Sequence, residues 1–228
     1  MALTSYPFDG QDTTESEYTL LFRELQDTGI ADTFGGPGFQ VSANGSGMTV
    51  TVQPGFAIVR GHAVSSTAVE TLTIPAADAA QRQDRIMLRL DPAANAITLA
   101  VSQGPAGGTA PGQTQTDTGI YEKSLAVVTV GANVTSIDAS KVFDERKFLG
   151  SRIGCWTTSL RPLSPRTARL GLNSSTGKWE YWNGTVWTNL VAPTADNATR
   201  WGGYMVTVST TTPSGTPTAD RIWIQPTS

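Results

Sequence analysis

The chain has little of what most enzyme chemistry requires. Its 228 residues contain one cysteine, Cys155, and one histidine, His62. A single thiol excludes an intrachain disulfide framework, and one thiol with one imidazole cannot compose a Cys–His zinc site. Both residues read as structural, Cys155 as a small buried hydrophobe and His62 as part of a strand. There is no Gly-x-Ser-x-Gly elbow to expose a serine nucleophile, and no glycine-rich turn leads from a strand into a helix to cradle phosphate. Charge is scarce as well: Asp, Glu, Lys and Arg make up 15 % of the chain, against about 25 % in ordinary soluble domains. With a net charge of −3 there is no basic face for a phosphate backbone, so nucleic acid is not an expected partner. No apolar run approaches a membrane span, and the first residues lack the basic-then-apolar pattern of a secretion signal. No cofactor and no metal are expected.

What the chain does have is aromatic residues around a turn. Lys178–Trp187 reads Lys-Trp-Glu-Tyr-Trp-Asn-Gly-Thr-Val-Trp. Asn183-Gly184 is the dipeptide best suited to a two-residue type I′ turn, which predicts Trp182 opposite Thr185, Tyr181 opposite Val186 and Glu180 opposite Trp187. Strand alternation then places Trp179 and Tyr181 on one face, and Trp182 and Trp187 on the other. So short a hairpin cannot bury large aromatics on both faces against itself. The four side chains are therefore expected either to pack between subunits or to meet a ligand, and sugar rings stack well on Trp and Tyr.

The aromatic residues also divide the chain. All seven phenylalanines lie between Phe8 and Phe148, and all six tryptophans between Trp156 and Trp223. Charge divides at the same place: residues 1–150 hold 9 basic and 16 acidic side chains, and residues 151–228 hold 7 and 3, for nets of −7 and +4. A boundary is expected at 149–165, where Arg161-Pro162-Leu163-Ser164-Pro165 suits a linker because each proline holds its predecessor extended.

The first segment opens on a predicted helix. Thr14 and Glu17 are spaced as a capping box, Tyr18, Leu21, Phe22 and Leu25 follow as one apolar stripe, and Gly29 stands where a C-terminal cap would close it. The stripe reads as a packing face, against the sheet or against copies of the chain. Short alternating strands follow at 47–52, 57–60 and 70–74. Then 85–90 turns through 91–95 and returns at 97–101, with Ile86, Leu88 and Leu90 sharing a face. Residues 104–119 read as a long loop, and 124–130 as a strand buried on both faces. The fold class is mainly β: an N-terminal β-sandwich with one N-terminal α-helix, followed by a small Trp-rich meander and hairpin at 169–173, 178–182 and 185–190. Further strands are expected at 201–209 and 221–225.

Carboxylates cluster at Asp9, Asp12, Glu15 and Glu17 and again at Asp144-Glu145. A glycosidase needs two carboxyls facing across a cleft. The first group is better explained by the favourable placement of acids at a helix N-terminus, and Asp144-Glu145-Arg146-Lys147 reads as a solvated edge. The chain is read as non-enzymatic.

Two stretches carry a family resemblance. Arg161-Pro162…Pro165, Gly171-Leu172-Asn173, Thr176-Gly177 and Glu180-Tyr181-Trp182-Asn183-Gly184…Trp187 resemble a module recurrent in tail fibre and minor tail proteins of bacteriophages. The chain departs from that module at Leu172, where an aromatic is frequent, and at Arg166–Ala168, where a glycine is. Tyr6–Gln11 leading into the capped helix, Val52–Gly61 and Arg82–Asp91 are similar to the attachment domain of minor tail and baseplate proteins of actinobacterial-type phages. The ending, 209–213 and 220–225, is also similar to the C-termini of tail components. The resemblance implies a virion component made in the host cytoplasm and placed at the tail tip or baseplate, as a homo-oligomer and usually a trimer. Residues 1–148 would dock on other tail-tip proteins, 149–165 would link, and 166–228 would form the distal module, facing host cell-wall polysaccharide. A stand-alone carbohydrate-binding, lectin-like module is the alternative.

Overall fold

A computed structural model describes residues 5–149, 153–190, 200–201, 204–208 and 221–224. The chain is mainly β, with one α-helix and several sheets, and it separates into two compact units, Met1–Ser151 and Arg152–Ser228.

The first unit runs α1 (Glu15–Leu25), β1 (Gly29–Ile30), β2 (Val41–Ser42), β3 (Thr49–Val52), β4 (Gly55–Val59), β5 (His62–Ser66), β6 (Glu70–Thr73), β7 (Arg82–Asp91), β8 (Ala96–Ser102), β9 (Tyr121–Val130) and β10 (Val142–Asp144). These strands form three sheets, ordered β1-β4-β5, β2-β3-β6 and β10-β9-β7-β8. All three contribute to one apolar core, in which Ile30, Val52, Val59, Ile86, Leu88 and Val128 are almost wholly removed from water. The expected hairpin is present in register: Ile86, Leu88 and Leu90 lie opposite Val101, Leu99 and Ile97. β9 is apolar on both faces because β7 and β10 flank it and the core covers it, so alternation is absent there.

Two expectations for this unit are corrected. Gly29 does not cap α1. The helix stops at Gln26, whose backbone is extended, and Gly29 belongs to β1, where a Cβ would stand 2.7 Å from the Lys147 carbonyl oxygen. Within 144–147, read as a solvated edge, Asp144, Glu145 and Lys147 are exposed as expected, but Arg146 is buried. Its Nη1 donates to the carbonyls of Gly36 and Gly38 at 2.7 Å each, and its Nε and Nη2 donate to Asp144 at 2.9 and 2.7 Å. Its guanidinium also lies 4.9 Å from the centre of the Phe148 ring. Five rigid donors let an arginine be buried where acceptors surround it. Arg82 repeats the device at the start of β7. Fully buried, it donates to Asp84 at 2.9 and 3.1 Å, to Asp78 at 2.8 Å and to the carbonyls of Pro75 and Ala76.

The second unit holds β11 (Gly154–Trp156), β12 (Leu170–Asn173), β13 (Lys178–Trp182) and β14 (Trp187–Asn189), joined in that order as one sheet. β15 (Arg200–Trp201), β16 (Tyr204–Val208) and β17 (Arg221–Ile224) form a second sheet, with β16 and β17 parallel. Residues 209–220 and Gln225 lie outside the described residues. The expected linker 149–165 is corrected in part: it contains β11, which pairs in parallel with β12, and a 3₁₀ turn over Thr158–Leu160.

The hairpin register is also corrected. Trp182 lies opposite Trp187, Tyr181 opposite Thr188 and Glu180 opposite Asn189, so the loop has four residues instead of two. A type I′ turn needs positive φ at both central positions, and only Gly184, at +104°, has it. Asn183 uses its side chain: Oδ1 accepts from the backbone N–H groups of Thr185 and Val186 at 2.9 and 2.8 Å. That local bond is available to Asn and wins over the tighter turn. The slip is two residues, an even number, so each aromatic stays on its expected face.

Candidate functional site

The β11–β14 sheet has two unlike faces. One carries Gly154, Trp156, Gly171, Asn173, Glu180, Trp182 and Trp187. Trp156 lies flat over Gly171, where a Cβ would stand 2.2 Å from the ring, so only glycine fits under the indole. Its ring centre is 4.9 Å from that of Trp187, which lies 5.7 Å from that of Trp182. The guanidinium of Arg169 sits 5.6 Å from the centre of the Trp156 ring. Trp182 and Trp187 are half-buried in this cluster.

At the centre of the same face is a buried carboxylate. Glu180 is 1 % exposed. It accepts from Arg161 Nε and Nη2 at 2.8 and 2.5 Å, from Trp156 Nε1 at 2.7 Å and from Asn173 Nδ2 at 3.2 Å. The bidentate arginine, followed by the indole and amide donors, holds the carboxyl down at about 2 against the upward push of burial. Asn173 also caps the following turn, with Oδ1 accepting from Ser175 N–H at 3.0 Å. Arg161, Gly171, Asn173 and Glu180 are among the residues by which the stretch resembles the tail module, and they meet around the Trp156 indole. Sequence reading missed the role of Trp156 and the pairing of Arg161 with Glu180 because both residues fall in a stretch that looks like a linker. The conspicuous signal was a lone Glu in an aromatic strand.

The opposite face carries Cys155, Leu170, Leu172, Trp179, Tyr181 and Thr188. Here Trp179 is 44 % exposed, and Cys155, expected to be buried, is exposed, because strand alternation turns it to the face opposite Trp156. Tyr181, Leu170 and Leu172 are half-buried. Of the four aromatics expected to share a role, Trp182 and Trp187 thus pack with Trp156, while on the other face Trp179 is exposed beside the half-buried Tyr181.

The helix stripe is likewise open. Thr14 and Glu17 make the reciprocal capping box. No residue of α1 is buried, and Tyr18, Leu21, Phe22 and Leu25 face away from the sheets, Leu25 at 78 % exposure. The helix is seated by its polar side. His62 Nε2 lies 3.1 Å from Glu15 Oε1, Arg23 Nη1 donates to Asp117 at 3.5 Å, and Asp117 is also bound by Arg60. Arg60 and Gly61 occupy positive φ, and a Cβ on Gly61 would stand 2.3 Å from the Thr19 carbonyl oxygen, so the helix backbone rests on that turn. A cavity of about 260 Å³ beneath α1 is lined by these mutually paired charges with Leu20, Leu90 and Pro92.

The acids grouped in the sequence are dispersed by the fold. Glu17 caps α1, Glu15 faces His62 and Asp144 binds Arg146, which lowers its pKa. Glu145 accepts from Ser124 Oγ at 2.6 Å and pairs with Arg85. Among the described residues no group of three His, Cys, Asp or Glu side chains is placed to hold a metal ion, and no helix is long and apolar enough to cross a membrane. Comparison with protein-family models, curated proteins and solved structures finds no match to the chain.

Proposed function

We propose that the chain is a non-enzymatic structural component of a phage tail tip or baseplate, made in the host cytoplasm and carried in the virion as a trimer. In this reading residues 1–148 are an attachment domain of β-sandwich type that docks on neighbouring tail-tip proteins. The Trp-rich sheet and its hairpin form the distal module, in contact with host-surface glycans. One observation carries the reading: beside buried ion pairs, the first unit turns the aromatic stripe of α1 outward and the second leaves Trp179 exposed. Such a surface is suited to being covered by another surface, and the resemblance of 161–187 to tail modules supplies the setting. The test is mass spectrometry of purified particles together with immunogold labelling. Label at the tail tip supports the assignment, and recovery of the chain only in the soluble lysate overturns it.

The stand-alone carbohydrate-binding module remains as a second reading because Trp179 is exposed beside Tyr181. CH-rich sugar faces stack on such rings. Retention on purified cell wall, lost on Trp179→Ala, by a chain that is absent from particles would favour it over the first.

A further inference from the structure

We propose that the outward stripe of α1 is a self-association surface, packing against the same stripe of a second copy of this chain. The inference takes from the proposed function only that the chain assembles with itself, and it names the contact. Of the partners open to the stripe from its sequence, the sheets of the first unit are removed: they meet the polar side of the helix, through Glu15, Thr19 and Arg23. Helix packing normally turns the apolar stripe inward. Here the polar pairs and the Gly61 seat hold it outward, so the stripe is presented instead of buried.

The patch is continuous and large enough. Tyr18 and Phe22 stack with ring centres 6.5 Å apart. Phe8, 62 % exposed, lines one shallow hollow together with Tyr18. Leu21 and Leu25 complete the surface at 37 and 78 % exposure. Side chains of this size, exposed to this degree, present about 500 Å² per chain. Two copies meeting would bury about 1,000 Å², the threshold of a specific interface. The i, i+3, i+4, i+7 spacing is self-complementary, since ridges at this spacing fill the grooves of a like helix. Like stripes can meet across a two-fold axis or around a three-fold axis, as a/d seams do in coiled-coil dimers and trimers.

Charge gives the contact a signature. Glu17 and Glu24 lie one turn to either side of Leu21, and the one basic residue of the helix, Arg23, is shared between Glu24 and Asp117 at 3.8 and 3.5 Å, which leaves the stripe's flanks net acidic. Stripe meeting stripe therefore brings carboxylates near carboxylates. Salt screens that repulsion, so self-association tightens as salt is raised. A basic partner protein on the same stripe would show the opposite dependence.

The experiment is sedimentation and light scattering of the full 24.1 kDa chain, as wild type, as Phe22→Ser/Leu25→Ser and as Trp179→Ala. Phe22, Leu25 and Trp179 are all exposed, so the fold survives, as far-UV circular dichroism checks. The wild type is expected as an oligomer that strengthens with salt. The double variant should associate about tenfold or more weakly, and Trp179→Ala should associate like the wild type. An oligomer that survives the double substitution, or dissociates as salt rises, overturns the stripe as the contact and leaves the virion assignment standing. A monomeric wild type overturns both the contact and the trimer.

Discussion

Residues 5–149 and residues 153–190 both rely on sheets too thin to close on themselves, yet they are organised from opposite materials. The first unit gathers aliphatic side chains from three sheets and keeps its buried arginines, Arg82 and Arg146, bound to acids and carbonyls beside that core. Among the described residues of the second, one apolar side chain, Trp156, is buried, and the centre is the charged cluster of Glu180, Arg161 and Asn173. Aliphatic burial is non-directional and tolerates repacking. A charged centre demands its donors in place but specifies one geometry. A three-stranded meander has too little apolar surface for the first strategy, which explains why a small sheet recruits a parallel fourth strand carrying a tryptophan.

The comparison breaks most severely at Arg82. Arg82→Met leaves Asp84 buried without its partner and should cost about 3–5 kcal/mol. Because all six tryptophans lie beyond residue 155, the loss should appear in the far-UV circular dichroism transition while the tryptophan fluorescence transition is unmoved. An effect on both would show that the units do not unfold separately.

Glu180→Gln is the corresponding break in the second unit, expected at about 2–3 kcal/mol and read by tryptophan fluorescence. The same carboxyl gives the unit an acid limit. It titrates near 2 in the folded chain against 4.5 ordinarily, so the folded state holds fewer protons between those values. Its contribution is complete above pH 4.5 and is lost as pH falls toward 2, and Glu180→Gln should flatten that part of the profile.

Gly171→Ala sharpens the packing side of the comparison. The added methyl meets Trp156 ring atoms at 2.2–2.6 Å, and displacing the indole should cost about 1–3 kcal/mol with a shift in emission. Trp179→Ala should be smallest, within about 0.5 kcal/mol, because the side chain is exposed and holds nothing in place. Under the glycan reading it nevertheless abolishes retention on cell wall, which separates contact from stability.

Legibility differed by the range of the deciding interaction. The β7–β8 hairpin was readable because its alternation is long and its turn is local. The capping box was readable because it spans three residues. β1 and β2, of two residues each, have no period to detect. Arg146 looked solvated because the carbonyls that accept its protons lie about a hundred positions away. The tail-like motif could be seen as a motif, but its physical meaning, a carboxylate caged by Arg161, Trp156 and Asn173, required those segments to be brought together.

Local chemistry therefore settled the longer strands, where α1 begins, and that Trp179 and Tyr181 share a face distinct from Trp182 and Trp187. Alternation and capping act over a few residues and are written in the order of the chain. Which face is covered was decided only by tertiary structure. Trp156 closes over one side of its sheet, and the seat on Gly61 and the His62–Glu15 pair turn the α1 stripe outward. Coverage depends on segments distant in the sequence, and periodicity carries no record of them.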